Sequence, residues 1–335
     1  MRPKVVVTQP AHEEALAALR EICDVVVNNS GATWDRAKLV SECRGADAIL
    51  AFMTDRVDDA FLDACPRLRM IGCALKGYDN FDIEACTRRG VVVSAVPDLL
   101  TEPTAELAIG LLLGLARNIA EGDRHVRSGA FAGWRPILYG KGLYDSTVGI
   151  LGMGAVGRAV ARRLAGFECR IRYFDPKGSM PETAPAEALA LLPLLAESDF
   201  IVVAAPLHHG SHHLIDRETI GQMRNDVRIV NVGRGSVVDE SAVAEALLSG
   251  RIAGYAADVF EFEDWALAGR PDGIDQRLID ASSRTLFTPH LGSAVDATRR
   301  EIVRSAASSI LQVLRRERPD NALNFEALSA QRPAG

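Results

Sequence analysis

Residues 146–159 read STVGILGMGAVGRA, and the parsing of that stretch decides the fold. A β-type run over 147–151 enters Gly152-Met153-Gly154-Ala155-Val156-Gly157, and a helical run over 155–165 leaves it. The GxGxxG spacing is weak alone, because glycine and alanine are common. Here its glycines fall at a strand-to-helix turn, where each has a task. Gly152 permits the tight turn, Gly154 leaves room for a pyrophosphate against the backbone, and Gly157 lets the helix pack on the strand. Free amides at the helix start then hold phosphates. Asp175 ends the next strand, 18 residues beyond Gly157. A carboxylate there accepts hydrogen bonds from both ribose hydroxyls of NAD and repels a 2′-phosphate. Lys177 softens that preference.

Outward from this turn, short Val/Ile-rich runs alternate with helical patterns. Downstream they are RIRYFD, DFIVVAAP, VRIVNVGRG, GYAADVF and TLFTPHLGS; upstream, strands are predicted over 4–8, 24–27, 48–51, 69–73 and 91–93. Such alternation is the mark of parallel sheets covered by helices on both faces. The expected class is α/β, with two doubly wound parallel-sheet domains. A Rossmann-type cofactor domain (101–293) would be inserted in a discontinuous, flavodoxin-like substrate domain (1–100 and 294–335). The spacing predicts one long helix of about five turns from Pro103, and another over 296–314 that returns to the first domain. Residues 180–186 (MPETAPA) read as a flexible connection.

Composition narrows the function classes. A length of 335 residues suits two domains of ~150 residues. Lys plus Arg number 38 against 44 Asp plus Glu, a net charge of −6 with no long basic run, which disfavours a nucleic-acid partner. The longest apolar candidate, 107–116, falls short of the ~18 residues a membrane span needs. The amino terminus lacks a signal-peptide pattern, so a cytoplasmic location is expected. Cys23, Cys43, Cys65, Cys73, Cys86 and Cys169 show no metal or redox spacing and read as reduced, mostly buried thiols.

Three polar residues follow three separate strands of the second series, where a doubly wound sheet places its ligands. Arg234, in NVGRGSVVDE, offers a fork suited to an oxyanion. Glu263 follows DVF, and His290 follows TP; a Glu paired with a His orients the imidazole and raises its basicity for proton transfer. Glu261 is a second acidic candidate. Each alone reads as a structural residue; together, behind a dinucleotide fingerprint, they form a set.

GMGAVG, NVGRGSVVDE, DVFEFE and TPHLGS, in that order, resemble the D-2-hydroxyacid dehydrogenase family over nearly the whole chain. The resemblance implies that Arg234 binds substrate, that His290 is the acid/base and that Glu263 pairs with it. It also places Thr104, Asp258, Ala155, Val156 and Pro206 by the cofactor. Where the family reads GVGxDN, this chain reads GCALKGYDNFD, so Lys76 adds a positive charge. Two cations, Lys76 and Arg234, suit a dianion. On that ground, and on AFMTDRVDDAFLDACPRLRMIGCALKGYDNFD, GWRPILYGKGL and GYAADVFEFEDWA, the chain is similar to the phosphonate (phosphite) dehydrogenases of the family. That implies NAD-dependent oxidation of phosphite to phosphate, with Met53, Trp134, Tyr139, Ser293 and Arg299 lining or supporting the site. It also implies a homodimer, with Trp134 donated across the interface, and domain closure during turnover. The alternatives are a glyoxylate or hydroxypyruvate reductase, and an NAD-sensing binding module. His208-His209-Gly210-Ser211-His212-His213 has spacings that bind Zn or Ni, but reads as an exposed loop; no functional metal is expected.

Overall fold

Valine-rich runs of four residues, too short for helices and flanked by helical segments, build the first sheet. The computed structural model describes residues 2–96, 98–178 and 185–331. In chain order, β1 (Lys4–Val7), α1 (Glu13–Ile22), β2 (Asp24–Val27), α2 (Arg36–Cys43), β3 (Ala48–Ala51), α3 (Asp59–Ala64), β4 (Met70–Cys73), α4 (Ile83–Arg88) and β5 (Val92–Ala95) alternate. The strands pair in parallel in the order β2-β1-β3-β4-β5. Every residue of β3, β4 and β5 is buried, as expected of parallel strands covered on both faces.

The chain then forms α5 (Thr101–Ala116), α6 (Ile119–Arg127), β6 (Thr147–Leu151), α7 (Ala155–Leu164), β7 (Arg170–Phe174), β8 (Glu187–Ala188), α8 (Leu191–Glu197), β9 (Phe200–Val203), α9 (Arg217–Gln222), β10 (Arg228–Asn231), α10 (Glu240–Leu248), β11 (Gly254–Ala257), α11 (Gln276–Asp280) and β12 (Thr285–Phe287). These strands make a second parallel sheet, β12-β11-β10-β9-β6-β7-β8. Its order reverses direction between β6 and β9, which opens a crevice at their carboxyl ends. The chain finishes with α12 (Asp296–Leu314) and α13 (Phe325–Gln331). The two compact units are Met1–Leu100 with Val295–Gly335, and Thr101–Ala294. The class is the expected one, two doubly wound parallel α/β sheets.

In the first unit α2, α3 and α4 cover one face of the sheet, and α1 with α12 covers the other. Helix α12 buries Ile302, Val303, Ala306 and Ile310 there, and each full burial of a side chain such as Ile310 is worth about 1.5–3 kcal/mol. It packs so closely that a Cβ on Gly72 of β4 would lie 2.8 Å from the Ala306 carbonyl oxygen. In the second unit α5 and α7 share one core, and α8, α9 and α10 the other.

Two sequence expectations are corrected. The long helix from Pro103 is two helices, α5 and α6, because Asn118 takes the left-handed conformation (φ 53°) that Asn tolerates better than most residues. Its side-chain amide donates to the Leu138 and Tyr139 carbonyls at 3.1 and 3.2 Å. The helical stretch Asp98–Ala116, 19 residues with its opening 3-10 turn, is long and apolar enough by length and composition to cross a membrane. Counting from 107 missed its first turns. In the fold it is a core helix, with Ala105, Ala108, Leu111, Leu112 and Leu115 buried. The proposed connection at 180–186 lies largely outside the described residues. All six cysteines are free thiols, five of them buried.

Candidate active site

The glycines of the 152–157 turn are held by sterics at two positions and left open at a third. Gly152 sits at φ +93°, and a Cβ there would lie 2.8 Å from Ala205 Cα, so this turn presses against the end of β9. A Cβ on Gly157 would lie 2.1 Å from the Gly152 carbonyl oxygen, which fixes how closely α7 approaches β6. Gly154, the N-cap of α7 at φ −69°, has no heavy atom within 4 Å of its Cβ position. The exposed space over Gly154 and the unpaired amides of the first turn of α7 form a cradle for a pyrophosphate. Ala155 and Val156 form that turn, both half-buried. Asp175, at the end of β7, accepts from the Met153 amide and the Lys177 amide, 2.9 Å each, so its carboxylate stands beside the same turn. These residues fit a dinucleotide.

Arg234, Glu263 and His290 leave β10, β11 and β12 at their carboxyl ends. Arg234 is presented by an Asn231 bracket: the Asn231 side-chain amide donates to the Arg234 carbonyl (2.9 Å), and its oxygen accepts from the Gly233 amide (3.1 Å). Gly233 and Gly235 are required by close approach. A Cβ on Gly233 would meet the Ala205 carbonyl at 2.5 Å, and one on Gly235 the Phe260 carbonyl carbon at 1.9 Å. The loops after β9, β10 and β11 thus touch through backbone. Glu263 closes a 3-10 turn (Glu261–Glu263), with one carboxylate oxygen accepting from the Phe260 amide at 3.0 Å. Its other oxygen lies 2.8 Å from His290 Nδ1.

His290 itself stands at φ +56°, a sparsely populated conformation for a non-glycine residue. Buried Asp258 sustains it: its carboxylate accepts from the Thr288 hydroxyl (2.6 Å), the Leu291 amide (2.6 Å) and the Gly292 amide (2.8 Å). Burial pushes this carboxyl above its ordinary value, against the three donors. The His290 amide donates to the Asp258 carbonyl at 2.9 Å. Thr104, on α5, donates to the Gly292 carbonyl at 3.2 Å and joins the same turn. Ser293 follows, buried.

The remaining expected site residues are placed differently. Pro206 is exposed after β9, its carbonyl accepting from Ser211 at 2.6 Å. Trp134 and Tyr139 are 86% and 81% exposed and line nothing within their own unit. Met53 and Arg299 belong to the first unit, both half-buried, and burial lowers the Arg299 pKa from its ordinary value. Lys76, after β4, sets its Nζ 2.8 Å from Asp98 Oδ1. The His208–His213 loop turns inward on itself: His208 Nδ1 accepts from the Gly210 amide at 3.1 Å, and the His212 and His213 rings stack at 4.0 Å. Among the described residues no three His, Cys, Asp or Glu side chains are grouped to hold a metal.

Several positioning residues escaped the sequence reading. Asp55 accepts from the Phe52 amide (2.8 Å) and the Thr8 hydroxyl, and so holds the loop bearing Met53; burial pushes its carboxyl up to about 6. Asn80 donates to the Met53 carbonyl at 2.7 Å. Asp264 accepts from the Ser236 amide at 2.6 Å. Glu240 and Glu261 bind each other's backbone across the loops of Arg234 and Glu263. Glu240, Glu261 and Asp264 stand in the acidic runs that follow GRG and DVF, and Glu261 was already the second acidic candidate there; Asp55 and Asn80 carried no such signal.

Comparisons with known proteins agree with this geometry. The profile of the D-isomer specific 2-hydroxyacid dehydrogenase, NAD-binding domain, matches residues 109–292. A glyoxylate reductase of Pyrococcus horikoshii is 35% identical over 340 residues, covering 99% of each chain. The TT0316 protein of Thermus thermophilus superposes with a TM-score of 0.86 at 33% identity, over 96% of this chain and 99% of the other. An NADPH-dependent glyoxylate/hydroxypyruvate reductase of Sinorhizobium meliloti, solved with NADP and malonate, gives 0.83 at 27% identity, over 96% and 97%. These relatives overturn the expectation of phosphite oxidation and favour the 2-hydroxyacid alternative. In the structure Lys76 is also paired, its Nζ 2.8 Å from Asp98 Oδ1, so it does not stand as the bare cation that the dianion argument assumed. This chain is an oxidoreductase of the D-isomer specific 2-hydroxyacid dehydrogenase family, with an NAD-binding domain behind its glycine turn.

Proposed function

We propose that the protein interconverts a small 2-oxo acid and its 2-hydroxy acid, with glyoxylate or hydroxypyruvate as the oxo acid and NAD(H) preferred over NADP(H). The observation that carries this reading is the 2.8 Å contact between His290 Nδ1 and Glu263 at the carboxyl ends of β11 and β12. NADH, when bound, supplies the hydride for the carbonyl carbon. Glu263 holds the imidazole by Nδ1 and stabilises its protonated form, which leaves Nε2 to give a proton to the carbonyl oxygen. Arg234 binds the substrate carboxylate through its fork, and its charge also favours the oxyanion that grows as hydride arrives. Asp258 keeps the His290–Gly292 turn rigid, so the imidazole is aimed before substrate enters.

The preference for NAD(H) rests on Asp175, and a homodimer rests on apolar side chains left exposed over 119–144. The test is NADH consumption by purified protein with glyoxylate and with hydroxypyruvate, beside the His290→Ala variant. Turnover with at least one oxo acid is expected, lowered ~10²- to 10⁴-fold by the substitution. No turnover with either acid, or a His290→Ala variant as fast as wild type, overturns the reading.

A further inference from the structure

Behind the His290–Glu263 pair lies a second acidic arrangement that the proposed chemistry does not use. Glu240, the first residue of α10, is 3% exposed. Its amide donates to Glu261 Oε1 at 2.7 Å, and the Glu261 amide donates to Glu240 Oε1 at 2.8 Å. This closed exchange ties the loop that follows Arg234 to the 3-10 turn that ends in Glu263. Glu261 Oε2 continues outward to His213 Nε2 at 3.2 Å, and the His213 amide donates to the Ser236 carbonyl at 2.8 Å. Glu240 Oε2, in contrast, is buried and makes no well-formed hydrogen bond, with the Asp275 amide the donor near the carboxyl.

We propose that Glu240 is a positioning residue for the reaction: by exchanging amide bonds with Glu261 it fixes the turn carrying Glu263, and through it the His290 imidazole, relative to Arg234. The proposal rests on the roles assigned above to those three residues. The neutral acid is the form that suits the site. An ionised Glu240 would place a charge out of water with only backbone amides to serve it, close to the Glu261 and Asp275 carboxylates. The groups around it confirm the balance of charge. The carboxylates of Glu261 from the 3-10 turn and Asp275 at the head of α11 oppose its ionisation, while the neutral Tyr255 of β11 adds no charge. The arginines of the helices around it are engaged with other partners, Arg277 of α11 with Asp275 and Ser241, and Arg217 of α9 with Glu245. Burial, with Glu261 and Asp275, pushes the Glu240 carboxyl up to about 7.

The sign of the pH effect follows. A carboxyl whose folded value lies above its unfolded value of 4.5 stabilises the fold fully at low pH, and this contribution is lost as pH rises from 4.5 through about 7. Glu240→Gln keeps an oxygen for the Glu261 amide and cannot ionise; Glu240→Ala removes the exchange. Three measurements on the full-length protein test the proposal: melting temperature from pH 5 to 8.5, and kcat and the KM for NADH at pH 6 with glyoxylate as the oxo acid. Glu240→Gln should gain in melting temperature relative to wild type as pH rises to about 7, then hold a constant gap. Its kcat at pH 6 should stay within about twofold of wild type, whereas Glu240→Ala should lose about tenfold or more in kcat with a smaller change in the KM for NADH. A flat gap between Glu240→Gln and wild type across the pH range overturns the proposal. So does a Glu240→Ala enzyme with wild-type kcat. Should Glu240→Ala not fold, a Glu240→Gln enzyme that loses kcat tenfold at pH 6 also overturns it. Wild-type protein inert toward both oxo acids would instead sink the function reading, and the melting-temperature comparison would still decide the state of Glu240.

Discussion

Asp175 carries two tasks at once. Its oxygens accept the Met153 and Lys177 amides, which shapes the turn around the glycines, and the second task, proposed above, is to accept from the ribose of NAD(H) through its remaining lone pairs. A 2′-phosphate near that carboxylate meets like charge, and at ~4 Å even water-like screening leaves about 1 kcal/mol or more per unit of charge, near a factor of ten. Asp175→Ala should therefore raise the ratio of kcat/KM for NADPH to that for NADPH's competitor NADH by about tenfold. An unchanged ratio would place the ribose elsewhere. The same substitution frees two backbone amides, so a modest fall in melting temperature is expected beside the change in preference.

At the scale of the β6–α7 element, two glycines three residues apart, Gly154 and Gly157, can be told apart by where a methyl group would go. Gly157 has backbone 2.1 Å from its Cβ position, whereas Gly154 has open space and an ordinary φ of −69°. Gly157→Ala should drive α7 off β6 and cost about 1–3 kcal/mol or more of stability. Gly154→Ala should leave the melting temperature of the free protein unchanged or slightly raised, because alanine narrows the unfolded ensemble. Yet its methyl group would stand in the pyrophosphate cradle, so the dissociation constant for NADH should rise. Fluorescence titration with NADH alongside thermal melts separates the two effects. A Gly154→Ala protein that binds NADH as wild type does would move the phosphates off this turn.

For the whole molecule, the segment from α6 to the start of β6 stands out because it exposes what a lone chain would bury. Ile119, Val126, Phe131, Trp134, Tyr139 and Tyr144 are each more than half exposed. Apolar side chains concentrated in one segment mark an association surface. Light scattering should give twice the 36.1 kDa mass of one chain, and Trp134→Glu should shift the protein toward the mass of one chain. A wild-type protein that is monomeric at micromolar concentration would refute the dimer. Asn118 belongs to the same device: its left-handed turn ends the long apolar helix, and its amide anchors the Leu138–Tyr139 stretch of that segment.

The sequence alone determined the α/β class, the glycine turn and the family, because each depends on local pattern: short continuous apolar runs alternating with helical ones, a strand-to-helix turn with glycine where backbone closes in, and short motifs in fixed order. The tertiary structure decided what depends on residues far apart in the chain. Glu263 lies against His290 while Glu261, two residues earlier, serves His213 and Glu240, since a 3-10 turn sends alternate side chains in different directions. The charge of Lys76 reads as a bare cation in GCALKGYDN and is matched by Asp98, 22 residues on, at 2.8 Å. Glu240 looks like an ordinary acidic residue at a helix start, but Asp239 holds the cap, and the packing of α10 against β11 and α11 buries Glu240. Motifs report what a residue can do; the burial and partners that set its charge belong to the fold, because desolvation and pairing arise only when distant segments close around it.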